Sequence, residues 1–185
     1  MMKKRCIALY SGGLDSILSI KMMQEQSIEV IALNFYSPFF GLTAQRDREK
    51  FKDLQKQKFG IDIIPTDFSP EMIPIVAGPK HGYGKHMNPC IDCKVGMLKK
   101  AASMLASYDA SFVVTGEVLG QRPMSQRRDT MNVIMKETGL KGILLRPLCA
   151  KLMNPTIAEQ EGIVNRDLLG AVSYTHLRAH ETGRN

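Results

Sequence analysis

A glycine-rich turn, Ser-Gly-Gly-Leu-Asp-Ser at residues 11–16, limits what this 185-residue chain can fold into more than any other feature. An apolar run at residues 6–10 stops at this turn and predicts a buried strand. Beyond the turn, Leu14, Leu18 and Met22 recur at the spacing of one helix face, which predicts a helix from residue 14 to about residue 26. A strand, a tight glycine turn and a helix in this order are typical of an α/β domain.

The same turn has the chemistry of a phosphate-binding loop. Two adjacent glycines let the backbone approach a phosphate without a Cβ clash, and the amino terminus of the following helix supplies positive potential for an anion. The serines add hydroxyl donors, and the aspartate suits Mg²⁺ binding or the organisation of the loop. We therefore expect the phosphate contacts to come from Ser11, Gly12, Gly13, Leu14, Asp15 and Ser16. A glycine turn that binds no ligand is the alternative.

Further strands and helices alternate along the chain. Apolar runs predict strands at residues 28–35, 62–66, 111–115 and 142–146, and helical patterns fall at residues 45–59, 90–108, 125–138 and 156–161. In the helix at 45–59, the side chains expected to face the interior are Phe51, Leu54 and Phe59. Residues 69–89 hold four prolines and several glycines, and they predict a long irregular loop.

This alternation predicts an α/β fold with a doubly wound, mostly parallel five-stranded sheet and helices on both faces. Such sheets bind ligands at the edge formed by the carboxyl ends of their strands. The turn at 11–16, the turn at Gly116 and the turn at Pro147 should therefore lie together at that edge.

The charge and hydropathy of the chain narrow the class of protein. The formal net charge is +7 and the pI is about 9.3, which favours a polyanion such as RNA as a partner, although lysines that merely solvate helix faces explain it equally well. No uninterrupted apolar stretch of about 18 residues predicts a membrane span. The basic start at residues 1–5 leads into a short strand rather than a secretion signal, so we expect a cytoplasmic protein.

The last thirteen residues, 173–185, differ from the rest of the chain. They show no apolar periodicity, and the string resembles a translated adaptor or vector sequence. We therefore expect one domain over residues 1–172, truncated at its carboxyl end, followed by a non-native tail.

Two of the four cysteines, Cys90 and Cys93, are spaced C-x-x-C. A cytoplasmic setting argues against a disulfide framework, so the pair indicates metal, cluster or sulfur chemistry. A predicted helix start and the neighbouring Lys94 should lower the pKa of the thiol, which suits a nucleophile or a metal ligand. The alternatives are incidental cysteines and half of a zinc site.

Other residues carry weaker signals. Arg122, Arg127 and Arg128 could contact phosphates, or they could form an exposed helix face. Glu117 could simply be exposed in a turn. His81 and His86 could touch a substrate but have no carboxylate partner in spacing, Cys6 is most simply a core residue, and Cys149 is more simply a small buried residue than a ligand.

Taken together, these strings resemble one known superfamily. Residues 11–16 (SGGLDS) resemble the signature of the PP-loop ATP pyrophosphatases, and residues 88–93 (NPCIDC), 115–126 (TGEVLGQRPMSQ) and 145–148 (LRPL) resemble segments of the tRNA thiouridine synthetases, which make 4-thiouridine or 2-thiouridine. The resemblance covers roughly residues 4–170. It implies a Rossmann-like sheet of the adenine nucleotide alpha hydrolase type and cleavage of ATP between its α- and β-phosphates.

The resemblance also implies roles for single residues. Catalysis would involve Cys93 in sulfur transfer, together with Cys90 and Asp15, whereas Asn34, Gly116 and Gln121 would lie near ATP. Some tRNA thiolation enzymes hold an iron–sulfur cluster on three cysteines, for which this chain offers Cys90, Cys93 and Cys149.

The implied function is an ATP- and Mg²⁺-dependent tRNA sulfurtransferase that adenylates a uridine carbonyl and replaces its oxygen by sulfur, releasing AMP and pyrophosphate. The expected partners are tRNA, a sulfur donor (a cysteine desulfurase or a sulfur carrier) and a second copy of the chain in a homodimer. Two alternatives stay open. One is a PP-loop ligase or amidotransferase-type enzyme that activates a carboxylate or a small molecule, and the other is a metal-binding RNA module with a vestigial nucleotide site.

Overall fold

A parallel sheet organises the computed structural model, which describes residues 3–41, 47–84, 87–122 and 124–172. Within these residues, five strands pair in the order β3-β2-β1-β4-β5, and every pairing is parallel. The strands are β1 Arg5–Leu9, β2 Glu29–Tyr36, β3 Ile63–Asp67, β4 Phe112–Thr115 and β5 Leu144–Leu145. The predicted five-stranded parallel sheet is confirmed, whereas the predicted tail at 173–185 lies outside the described residues.

Helices connect the strands, and local sequence sets several of their ends. Asp47 begins one helix by accepting a hydrogen bond from the Lys50 N–H, and Gly60 ends it in the left-handed conformation. None of the described helices is long and apolar enough to cross a membrane. The α-helices are α1 Leu14–Gln24, α2 Arg48–Phe59, α3 Ser69–Ala77, α4 Cys90–Ser103, α5 Arg128–Thr138 and α6 Ile157–Gln160, and 3-10 helices follow at Pro147–Leu152 and Arg166–Leu168.

The sheet separates two apolar cores, because alternate residues of each strand face opposite sides. On one side, Cys6 and Ala8 of β1 pack with Ile20 of α1. On the other side, Ile7 packs with Leu98 of α4 and with residues of α3 and α5. The predicted doubly wound arrangement, with helices on both faces, is therefore confirmed.

The predicted helix is confirmed, but of the three residues whose spacing predicts it only Met22 packs against the core. Leu14 is 69% exposed and Leu18 is 42% exposed, whereas Ile20 and Met23 are buried together with Ser16 and Ser19. Small serines let the first turns of the helix lie close to the sheet, and Ser16 stays satisfied because its hydroxyl donates to the Gly13 carbonyl. An apolar pattern cannot indicate a helix face that is partly built from serines.

The predicted inward direction of Leu54 is also wrong. Leu54 is 42% exposed, and the neighbouring Gln55 is buried in its place. Gln55 accepts a hydrogen bond from the Tyr10 hydroxyl, which compensates the burial of its amide. Phe51 and Phe59 are partly buried and pack against the core, as predicted.

The predicted loop at 69–89 is only partly irregular, because α3 occupies its first nine residues. Pro70 lies in the first turn of α3, where a helix needs no N–H donor, so it begins the helix rather than preventing it. Pro74 removes one hydrogen bond inside the helix. Burial of Phe68 and Met72 against the sheet offsets that loss and fixes the helix.

The orientation of α1 can be tested with a matched pair of truncations. Ile20 is 1% exposed and Leu18 is 42% exposed. We expect Ile20→Ala to lower the free energy of unfolding by about 2–5 kcal/mol, and Leu18→Ala to lower it by less than about 1 kcal/mol. Urea denaturation measures both values, and a larger loss for Leu18→Ala would show that α1 is rotated.

Candidate functional site

One cavity of about 540 Å³ lies where the carboxyl ends of β1, β2 and β4 meet. The loop at 11–16, the start of α4 and the segment after β4 all contribute to its wall. The predicted site residues that line it are Ser11, Gly13, Asp15, Ser16, Asn34, Cys90, Cys93, Gly116 and Gln121. Two predicted nucleotide contacts, Gly12 and Leu14, are exposed and are not part of this wall.

Hydrogen bonds within the loop at 11–16 fix its conformation. Gly12 has a φ of 81°, in the left-handed region that favours glycine. The Gly13 N–H donates to Ser11 Oγ at 3.3 Å, and the Ser16 hydroxyl donates to the Gly13 carbonyl at 2.7 Å. The two serines therefore organise the loop, and the amino terminus of α1 directs positive potential at the cavity.

Gly116 brings the end of β4 against the first turn of α1. A Cβ at this position would lie 2.6 Å from the Ser16 nitrogen and 2.8 Å from the Asp15 carbonyl oxygen, which is closer than real Cβ contacts. Next along the chain, the Gln121 amide donates to Asp15 Oδ2 at 2.7 Å. The two predicted residues Gly116 and Gln121 thus fix the loop, and the Asp15 carboxylate they hold is a suitable oxygen ligand for Mg²⁺ beside phosphates.

Asn34 leaves an acceptor free at the end of β2. Its amide donates to the Tyr10 carbonyl at 2.9 Å. Its Oδ1 atom is buried and has no hydrogen-bond partner among the described residues. A buried acceptor without a partner is costly, so Asn34 fits a ligand that brings a hydrogen-bond donor into the cavity.

The two cysteines of the C-x-x-C pair lie on the first turn of α4 and both line the cavity. Burial raises the pKa of the Cys93 thiol to about 11, with the charge of Lys94 opposing this shift and Cys90 adding to it. The predicted lowered pKa is therefore wrong for Cys93, because loss of solvent outweighs the neighbouring ammonium. Before any ligand or partner binds, Cys93 is a protonated thiol at neutral pH.

Cys149 does not join the other two cysteines. It is fully buried, its thiol donates to the Glu117 carbonyl at 3.3 Å, and it packs with Leu119 and Met131. Within the ranges that the structure describes, no three Cys, His, Asp or Glu side chains are grouped to hold a metal ion. The described residues do not fit a three-cysteine iron–sulfur cluster, and Cys149, like Cys6, is a core residue.

A buried ion pair lies at the inner wall of the cavity, which Glu117 lines. Glu117 and Arg146 are each 2% exposed, and Glu117 Oε2 accepts from Arg146 Nε at 2.9 Å and from Thr115 Oγ1 at 3.0 Å. Lys94 Nζ lies 3.6 Å from Glu117 Oε1. Burial alone would raise the pKa of Glu117, but the charges of Lys94 and Arg146 and the hydrogen bonds from Arg146 and Thr115 outweigh it and lower that pKa to about 2.

The sequence alone predicts no contact between these two residues. It leaves Glu117 as a turn residue that could simply be exposed, and it indicates no separate role for Arg146. The two residues follow β4 and β5, which are neighbours in the sheet, so their side chains meet at one edge. Only the order of the strands turns two separate motifs into one contact.

Of the remaining candidates that the structure describes, Arg122 is the one that lines the cavity. Arg122 is exposed and lines it, whereas Arg127 pairs with Asp129 and Arg128 donates to the Leu152 carbonyl. His81 does have a carboxylate partner, because its Nδ1 lies 2.9 Å from Asp92 Oδ1 within the C-x-x-C turn. His86 lies outside the described residues.

Comparison with known proteins identifies the family. The model of the family described as "Thiamine biosynthesis protein (ThiI)" matches residues 1–161. The chain belongs to this family. It is 32% identical over 151 residues to a probable tRNA sulfurtransferase of Moorella thermoacetica, covering 79% of this chain and 36% of that protein. It is 27% identical over 148 residues to a probable tRNA sulfurtransferase of Thermococcus kodakarensis, covering 78% of this chain and 36% of the relative.

A solved structure of similar fold is that of a 4-thiouridine synthetase in complex with RNA and bound ATP. It superposes with a TM-score of 0.58 at 17% identity over 96% of this chain and 50% of the other. The expected resemblance to PP-loop tRNA thiouridine synthetase domains is confirmed by the family match and the relatives. The chain spans little more than a third of the length of the curated relatives, 36% in both cases above.

The buried ion pair makes stability depend on pH. The folded pKa of Glu117, about 2, lies below the ordinary value of 4.5, so its stabilisation is present above about pH 4.5 and is lost as pH falls towards 2. We expect Glu117→Gln to lower the free energy of unfolding by about 3–5 kcal/mol at neutral pH, because Arg146 stays buried without a counter-charge. Urea denaturation between neutral and acidic pH measures this difference.

The difference between wild type and Glu117→Gln should narrow below about pH 4.5. The exposed Glu161 provides the control, and Glu161→Gln should change stability by less than about 0.5 kcal/mol. A difference for Glu117→Gln that stays constant down to the acidic limit would contradict the assignment of a buried carboxylate.

Proposed function

We propose that this chain is the ATP-dependent catalytic domain of a tRNA sulfurtransferase that converts a uridine of tRNA into a thiouridine. The observation that carries the proposal is a single cavity lined by both the loop at 11–16 and the C-x-x-C pair. A nucleotide site alone suits many activated substrates, but two thiols in the same cavity suit sulfur transfer. The names of the relatives, probable tRNA sulfurtransferases, support the same reaction.

In the proposed complex, the loop at 11–16 and the start of α1 bind the phosphates of ATP through backbone N–H groups. Asp15, held by Gln121, would supply an oxygen ligand for Mg²⁺, and the ion would neutralise phosphate charge. Asn34 Oδ1 offers an acceptor to the nucleotide or the base. Asp15 and Asn34 thus orient the nucleotide within the cavity.

The first chemical step is adenylation. The carbonyl oxygen of an unstacked uridine attacks the α-phosphorus, the bond from that phosphorus to the bridging oxygen breaks, and pyrophosphate leaves. The base oxygen is then part of a phosphate ester, which makes it a good leaving group. The terminal sulfur of a Cys93 persulfide then attacks the base carbon that carries this oxygen, the bond between that carbon and the oxygen breaks, and AMP departs.

The sulfur attack is the second step, and it leaves a disulfide that joins Cys93 to the base. This disulfide must be cleaved to release the product. The thiol of Cys90, on the same first turn of α4, would attack the Cys93 sulfur, which releases the thiouridine and leaves a Cys90–Cys93 disulfide. An external thiol then reduces this disulfide. Because free Cys93 is protonated at neutral pH, we expect sulfur loading to be slow unless the donor protein changes its surroundings.

The proposed partners are tRNA and a sulfur donor, either a cysteine desulfurase or a sulfur carrier. The net charge of +7 and the exposed Arg122 at the cavity mouth suit a polyanion. We propose a cytoplasmic site of action, a catalytic domain over residues 1–172 with a non-native tail behind it, and a homodimer as the assembly.

The proposal predicts distinct defects for two variants of the chain supplied with ATP, tRNA, cysteine and a cysteine desulfurase. Asp15→Asn should lose most tRNA-dependent pyrophosphate release, because an amide at position 15 would bind Mg²⁺ more weakly than a carboxylate does. Cys93→Ser should keep pyrophosphate release and lose thiouridine formation. Cys149→Ala, which alters a cysteine outside the cavity, should keep both.

Pyrophosphate release and thiouridine are measured on the same samples. Absence of tRNA-dependent pyrophosphate release in the wild-type chain would contradict the proposal. Full thiouridine formation by Cys93→Ser would exclude sulfur transfer through this cysteine and would favour a PP-loop enzyme that activates another substrate.

A further inference from the structure

The charged groups at the inner wall of the cavity do not balance. The Glu117 carboxylate lies between two cations, with Arg146 Nε 2.9 Å from Oε2 and Lys94 Nζ 3.6 Å from Oε1. One carboxylate therefore faces two positive charges, and this cluster carries one net positive charge. The other carboxylate of the cavity, Asp15, is bonded to Gln121 at the phosphate loop.

This net charge is largely removed from water. Glu117 and Arg146 are each 2% exposed, and the side chain of Lys94 is 22% exposed. Burying an unbalanced charge is costly in a folded protein. A cavity wall of this kind favours a ligand that brings a negative charge to it.

Lys94 is the cation of this cluster that lines the cavity and can contact a bound anion. Its distance of 3.6 Å from Glu117 exceeds that of an ordinary hydrogen bond. Its ammonium makes no hydrogen bond to any other residue that the structure describes. An ammonium carries three donors, and Lys94 lines the cavity beside Cys93, so these donors are available to a bound anion.

We propose that Lys94 binds the α-phosphate of the nucleotide and that Glu117 and Arg146 position its ammonium. This inference rests on the proposed function and names a further residue of that site. The α-phosphate is the phosphate joined to the reacting base oxygen, so it must lie near the sulfur on Cys93. It gains negative charge when AMP departs, and a fixed cation at that point stabilises the departing group.

AMP and adenosine separate this contact from all others, because AMP adds only the α-phosphate to adenosine. We expect Lys94→Gln to weaken AMP binding by about tenfold to a hundredfold, the loss typical of one hydrogen bond to a charged group. Adenosine binding should change by less than about twofold. Lys94→Arg should retain most of the AMP affinity, and Lys99→Gln, which removes an exposed lysine of the same helix, should match wild type.

Isothermal titration calorimetry of the full chain measures these affinities, and thermal melting confirms that each variant is folded. If Lys94→Gln does not fold, Lys94→Met replaces it, because the apolar stem is kept without the charge. Unchanged AMP affinity in a folded variant overturns the inference. A wild-type chain that binds neither ATP nor AMP overturns the proposed function as well, which distinguishes the two failures.

Discussion

The close contact between Gly116 and the first turn of α1 is the constraint on which the site depends. The backbone at the end of β4 lies directly against Asp15 and Ser16, and any side chain at position 116 would overlap with that backbone. This contact sets the distance between the loop at 11–16 and the segment that begins at Glu117. The hydrogen bond from Gln121 to Asp15 holds the same two segments together.

A second constraint follows one residue later. Glu117 joins the ends of β4 and β5 to the start of α4 through its contacts with Arg146 and Lys94, and α4 carries the cysteine pair. Buried ion pairs stabilise a fold weakly in comparison with apolar packing, so the pair of Glu117 and Arg146 favours a role in positioning charge. Both Glu117 and Cys93 lie in a cavity wall with little access to water. Neighbouring cations keep Glu117 ionised there, whereas burial raises the pKa of Cys93 and keeps its thiol protonated.

Much of the fold could be predicted from the sequence because its strands are short apolar runs that end at clear breakers. The parallel sheet and the convergence of three turns at one edge followed from alternation alone. The inner face of α1 could not be predicted, since Ser16 and Ser19 form part of it and carry no apolar signal. The start of α3 could not be predicted, because a proline such as Pro70 is typical of loops as well as of the first turn of a helix.

The site also combines features that the sequence predicts with features that it does not. Motifs predict that the loop at 11–16, Cys93 and Gln121 lie in one region, but the contact of Glu117 with Arg146 could be predicted only from the order of the strands. The pKa of Cys93 depends on burial, which its neighbours in sequence do not reveal.

ATP is proposed to bind in the cavity that Cys93 lines, and protection of Cys93 from alkylation tests this most directly. The rate is measured in the Cys90→Ser variant at about pH 9, where some thiolate is present, with and without saturating ATP and Mg²⁺. The account predicts a severalfold slower alkylation of Cys93 when ATP is bound. An unchanged rate under saturating ATP would contradict it.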